Sequence, residues 1–160
     1  MKLSSQRITL ERSYRSNVAA VWNMWVTKEG FESWWGPGGF ASEVIKLDLR
    51  PGGELEYTMT AIGADQIKFM KDVGMPLTSE HKIIFTEIEE HRQLSYMHLA
   101  DFIPGVDPYD VSTTVEFFSE GDHVRMVLTF DRMHSDEWTQ RMQMGMESQL
   151  GKLQQVLEGG

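Results

Sequence analysis

No cysteine occurs among the 160 residues, which excludes a disulfide framework, a thiolate metal site and a cysteine nucleophile. No apolar run approaches the ~20 residues needed to span a bilayer, so membrane insertion is not expected. Basic residues are few and scattered: 15 Lys and Arg stand against 24 Asp and Glu, for a formal net charge of −9 at pH 7. Such a chain opposes approach to a phosphate backbone, which removes nucleic acid from the expected partners. Solubility is the simplest use of the excess negative charge.

Several chemical signatures are missing too. The histidines, at positions 81, 91, 98, 123 and 134, show neither His-x-His nor His-Glu-x-x-His spacing, and no calcium-loop pattern occurs. No metal and no other cofactor is expected. The Gly-rich stretches 36–39 and 51–53 lack the spacing of a phosphate cradle and read as turns. No serine sits in a nucleophile elbow. Met1 to Ser5 are short and polar, without the basic and apolar regions of a secretory signal, so a cytoplasmic location is expected.

What is present is the patterning of one domain, residues 1–160, of the α+β class. Hydrophobic residues make up 41% of the chain, enough for a real core. Ile8, Leu10, Arg12 and Tyr14 alternate with polar residues, the period of a half-buried strand. Ser16 is placed to cap a helix bearing Val18, Val21, Trp22 and Trp25, and Thr27 a second carrying Phe31, Trp34 and Trp35. From Phe40 the period returns to two. A hairpin runs through Ile45, Leu47 and Leu49, a Pro51-Gly52-Gly53 turn, then Leu55, Tyr57 and Met59. Further strands are expected over 82–89, 93–99, 111–118 and 123–130. In the last pair Val111, Thr113, Val115 and Phe117 share a face, as do Val124, Met126, Leu128 and Phe130. In 82–89 and 93–99 both parities are partly apolar, and the inward side stays open. Ser135 then caps a long helix, 136–158, whose apolar stripe is Trp138, Met142, Met146, Leu150, Leu153 and Leu157.

Four segments together carry a family resemblance: Val21-Trp22-Asn23-Met24-Trp25-Val26-Thr27, Trp34-Trp35-Gly36-Pro37-Gly38-Gly39-Phe40, Leu47-Asp48-Leu49-Arg50-Pro51-Gly52-Gly53 and Gly145-Met146-Glu147-Ser148-Gln149-Leu150. They resemble the SRPBCC superfamily of START-like domains and, within it, the AHSA-type group named for activators of a heat-shock protein ATPase. The resemblance implies a helix-grip fold, β-α-α-β6-α, in which a curved antiparallel sheet wraps a long C-terminal helix around an internal cavity. The sequence departs from the commonest pattern in longer loops at 61–81 and 100–110 and in having Met146 where an aromatic is usual. Because the superfamily spans lipid carriers, cyclases, oxygenase domains and co-chaperones, the resemblance implies fold more than function.

A continuous meander of the six strands after Phe40 would put the short turns at one end. The long connections 61–81, 100–110 and 131–135 would then lie at the other, beside the start of the long helix. Long loops at the mouth of a curved sheet commonly carry specificity. This mouth is rich in apolar residues, and residues 66–73 fit a helical turn ended by Gly74. The expected ligand-binding residues are Tyr57, Met59, Phe69, Met70, Met75, His98, Asp101, Phe102, Tyr109, His134, Trp138 and Met142, around a small apolar molecule. Methionine suits an adaptable pocket. His98, Asp101, Tyr109 and His134 also form an acid/base set for a cyclase or isomerase alternative, although no catalytic signature relates them. A co-chaperone-like protein-binding module is the third class. The apolar loops serve equally as a lid or as a dimer contact, so a homodimer stays open. Arg12, of inward parity, would need a carboxylate such as Asp48 or Glu56. Trp22, Trp25, Trp34 and Trp35 are expected in the core.

Overall fold

The computed structural model describes residues 7–100 and 105–159. Strand β1 (Ile8–Arg15) buries Leu10 and Tyr14 and turns Thr9, Glu11 and Ser13 to water, as its alternation requires. Then come α1 (Val18–Val26), α2 (Lys28–Trp34), β2 (Phe40–Leu47), β3 (Glu54–Ala61) and α3 (Ala64–Asp72). The chain continues with β4 (Thr78–Glu89), β5 (Gln93–Ala100), β6 (Tyr109–Glu120), β7 (His123–Phe130) and the 23-residue α4 (Asp136–Glu158). The strands form one antiparallel sheet in the order β1-β7-β6-β5-β4-β3-β2. The six-strand meander is therefore present, and β1 extends it beside β7.

Parity decides which faces are buried. Val111, Thr113, Val115 and Phe117 of β6 and Val124, Met126, Leu128 and Phe130 of β7 all point into the core. The side left open for the middle strands is set by Ile83 and Phe85 on β4 and Leu94 and Tyr96 on β5, which are buried. Their outward neighbours Ile84 and Leu99 are exposed.

The two short helices supply an aromatic cluster. Trp34 is fully buried, its ring centroid 4.8 Å from that of Trp25 and 5.2 Å from that of Trp35, and its indole N–H donates to the Met24 carbonyl at 2.8 Å. Phe31 stacks on Trp35 at 4.7 Å. Gly30 is what lets α2 lie this close to α1, because a Cβ there would overlap the Asn23 carbonyl oxygen. Gly30→Ala is accordingly expected to cost about 1–3 kcal/mol, as overpacking does, and urea unfolding would show it. An unchanged midpoint would mean that the two helices separate freely.

Helix α4 is fastened to the turn after α2 by three of its residues. Gln149 Oε1 accepts the Gly36 N–H at 2.8 Å, Ser148 Oγ accepts the Gly38 N–H at 3.0 Å, and Lys152 donates to the carbonyls of Gly36 (2.9 Å) and Phe40 (3.3 Å). Two of the segments that carry the family resemblance are thus one contact. A third, the Arg50-Pro51-Gly52-Gly53 turn, bonds to β4: Gly52 N–H donates to the Phe85 carbonyl and Phe85 N–H to the Gly53 carbonyl.

Three expectations need correction. Asn17, not Ser16, caps α1, its Oδ1 accepting the Ala20 N–H at 2.9 Å. Arg12 pairs with Glu147 of α4 at 3.4 Å and is partly exposed. Asp48 and Glu56 pair instead with Arg50 and Lys46, since β1 lies at the opposite edge of the sheet from β2 and β3. The strand expected from Lys82 starts earlier, since β4 reaches back to Thr78, while the helical turn expected over 66–73 is present as α3. Among the described residues no helix is long and apolar enough to cross a membrane.

Candidate functional site

Along α4 the apolar stripe changes character. Leu150 and Leu153 are fully buried against the core, whereas Trp138, Met142 and Met146, nearer the start of the helix, are only half-buried. They face a pocket of about 290 Å³ between α4 and the inner face of the sheet, at the small end of the ~300–1,000 Å³ usual for small-molecule sites.

The pocket has two unlike walls. On the helix side Trp138, Met142 and Met146, with Met133 and Phe130, make an apolar surface, and the bare Gly145 leaves room beside it. The sheet side is apolar only in part. Tyr57 and Met59 come from β3, His81 and Ile83 from β4, Tyr96 and His98 from β5 and Thr113 from β6. Trp35 and Pro37 close the end next to α2, and Arg141 stands at the rim. Its guanidinium lies 4.9 Å over the Trp138 ring and 2.8 Å from Glu137 Oε2.

Strand register gathers the polar groups. Tyr57 is opposite His81, Ile83 opposite His98, and Tyr96 opposite Thr113. The Tyr57 and His81 rings stack at 5.2 Å with 22° between planes, and His81 Nε2 is 2.7 Å from Ser79 Oγ. Burial pushes the Tyr57 hydroxyl up to about 12, against the opposing effect of a hydrogen bond with the Trp35 side chain. Burial raises Tyr96 as well, opposed by its bond to Thr113. His98 moves from 6.5 down to about 4, first because burial disfavours the imidazolium and then because His81 is near, with Asp110 pulling weakly the other way. At neutral pH Tyr57, Tyr96 and His98 therefore offer hydrogen bonds without charge.

Of the ligand-binding residues expected from sequence, Tyr57, Met59, His98, Trp138 and Met142 line this pocket. Tyr109 and His134 do not. They pair with each other, the Tyr109 hydroxyl 2.8 Å from His134 Nδ1 and accepting the His134 backbone N–H at 3.1 Å. Tyr109 also packs on a small cluster with Met133, Trp138 and Met142. Phe69 and Met75 are exposed and Met70 is half-buried, and none of the three borders the pocket. Asp101 and Phe102 lie outside the described residues.

Sequence reasoning missed His81, Tyr96 and Thr113, which form the polar wall. It also assigned Trp35 to the core alone, where that residue both packs the aromatic cluster and closes the pocket. A firm parity for 93–99 would have exposed Tyr96, while His81 fell in the connection before the strand expected from Lys82. Among the described residues no cluster of three or more His, Asp and Glu is placed to hold a metal ion.

A family model, described as Activator of Hsp90 ATPase homolog 1-like protein, matches residues 15–158. Among solved structures, a protein from Arthrobacter aurescens superposes with a TM-score of 0.79 at 21% identity, over 100% of this chain and 90% of the other. An AHSA1-like protein from Aeromonas hydrophila gives 0.70 at 20% identity, covering 97% of each chain. CalU16 from Micromonospora echinospora gives 0.66 at 18% identity, over 96% and 74%. At these identities the likeness is one of fold. A search among curated proteins finds no significant match.

Proposed function

The chain belongs to the family of activator of Hsp90 ATPase homologue 1-like proteins, and from that premise we propose that it binds a small, mainly apolar ligand between the sheet and the first half of α4. The observation that carries this reading is the asymmetry of the pocket. Its helix wall is built of polarizable, adaptable side chains, while its sheet wall holds hydrogen-bonding groups fixed by strand register, of which Tyr57, Tyr96 and His98 are uncharged at neutral pH. Such a surface suits an apolar body carrying one or two neutral polar groups.

Burying ~250 Å² of apolar ligand surface at ~25 cal/mol per Å² gives ~6 kcal/mol before association costs. A purely apolar ligand should therefore bind no tighter than micromolar, and tighter binding requires the polar wall. A hydrophobic fluorescent dye is expected to bind saturably, at about one per chain. Trp138→Ala and Met142→Ala should weaken that binding more than Leu153→Ala, which in turn should cost more stability. Equal effects of all three on both dye titration and urea unfolding would sink the reading.

A further inference from the structure

The polar side chains on the sheet wall of the pocket are Tyr57, His81, Tyr96, His98 and Thr113. All but one are engaged within the protein. Tyr57 bonds to the Trp35 side chain, Tyr96 bonds to Thr113, and His81 Nε2 lies 2.7 Å from Ser79 Oγ. His98 is the exception, since among the described residues no group hydrogen-bonds to its ring.

Strand geometry aims that ring at the pocket. His98 follows the buried Tyr96 by two residues on β5 and pairs with the buried Ile83 of β4, so the three share the inner face. Among the described residues no sealed side-chain nitrogen or oxygen lacks a partner. The His98 nitrogens, unbonded within the protein, therefore keep access to the open space that the ring lines. A hydrogen-bonding group enclosed by the fold and open only towards a pocket is where a ligand's polar atom gains most.

Charge decides which polar atom fits. The imidazole is neutral at pH 7, because burial carries its pKa down to about 4, and a neutral imidazole has one donor and one acceptor nitrogen. A carboxylate can only accept, and it would give up its water without meeting a Lys or Arg on the sheet wall. Arg141 stands instead at the rim, held by Glu137 Oε2 at 2.8 Å. An ammonium can only donate, and no Asp or Glu lines the pocket among the described residues. A hydroxyl donates to the bare nitrogen or accepts from the N–H, so it suits either tautomer. Resting on the binding function proposed above, we propose that His98 selects the ligand's polar end and that the ligand is an alcohol. Its apolar body lies against Trp138, Met142 and Met146, and its hydroxyl bonds to the His98 ring.

The test titrates the full chain at pH 7 with octan-1-ol and with octanoate, following the Met142 and Met146 methyls and the His98 ring nitrogens by NMR. Octan-1-ol is expected to move both sets of signals and to bind about tenfold or more tightly than octanoate. His98→Leu, which leaves an apolar group in the ring's place, should weaken octan-1-ol about fivefold, the scale of one neutral hydrogen bond. The same variant should bind the hydrophobic dye within about twofold of the native protein. His98→Gln keeps a donor and an acceptor and should hold octan-1-ol to within about twofold. Ring nitrogens that stay unmoved while the methyls shift overturn the assignment to His98, and octanoate binding as tightly as the alcohol overturns the ligand class. A folded His98→Leu variant that binds octan-1-ol as well as the native protein also sinks the proposal. The titrations of the native protein decide the matter even where a variant does not fold. If neither octan-1-ol nor the dye moves the Met142 and Met146 methyls, the binding function fails first and the role of His98 with it.

Discussion

Trp34→Ala is expected to destabilise the protein by about 3–5 kcal/mol, the range for deleting a buried aromatic. Three losses coincide in that substitution. The ring is fully buried, two neighbouring indoles lose their edge contacts, and the Met24 carbonyl loses its donor. Set against the ~5–15 kcal/mol of a typical domain, this is a large part of the whole. Trp138→Ala makes the contrast: its ring is half-buried at the pocket, so ligand binding should suffer and stability should change little. Urea unfolding of the two variants separates a structural tryptophan from a site tryptophan. Equal costs would show that the aromatic cluster is not what organises α1 and α2.

The second large effect is acid sensitivity centred on His98. Its pKa is 6.5 when unfolded and about 4 in the fold. Between those values the unfolded chain binds a proton that the folded chain refuses. The stabilisation is therefore fully present above about pH 6.5 and is lost as pH falls towards 4, reaching about 2–3 kcal/mol by pH 4.5. Carboxylates contribute their own acid dependence, so the informative quantity is the difference between the native protein and His98→Gln. That variant should lose about 2–3 kcal/mol less between pH 7 and pH 4.5. Identical losses in the two proteins would place the acid-sensitive group elsewhere.

Where one face of a strand is buried and the other wet, the sequence displays its structure openly. The alternating residues of β6 and β7 specified both strands and their inward faces, and the spacing from Trp138 to Leu157 specified α4. The middle of the sheet was harder to read because its outer face also carries apolar residues. Ile84 and Leu99 are exposed there, and hydrophobicity alone does not say which parity is inside. That ambiguity hid Tyr96, and His81 was lost in the connection before the expected strand, so only part of the polar wall was legible. Phe69 and Met75 suggested the site for the opposite reason. Apolar residues in a connection invite the inference that they cover something, but Phe69 on α3 and Met75 just after it face water. Gln149 and Gly145 were legible only as parts of a motif. Their use, fastening the turn after α2 and leaving space beside Met142, depends on where α4 docks.

The position of β1 bears on how the chain reaches this structure. Ile8 pairs with Phe130, partners more than a hundred residues apart, while each strand from β2 to β6 pairs with its immediate successor. The meander can therefore assemble from local hairpins, but the edge at β7 stays unpaired until the largest loop in the molecule closes, at an entropic cost that no hairpin bears. High separation between partners slows folding towards the millisecond-to-second range. During that interval the free edge of β7, with Val124, Met126, Leu128 and Phe130 alternating along it, is the surface most open to pairing with another chain. Refolding yield should consequently fall with protein concentration more steeply than the stability of the finished domain would suggest.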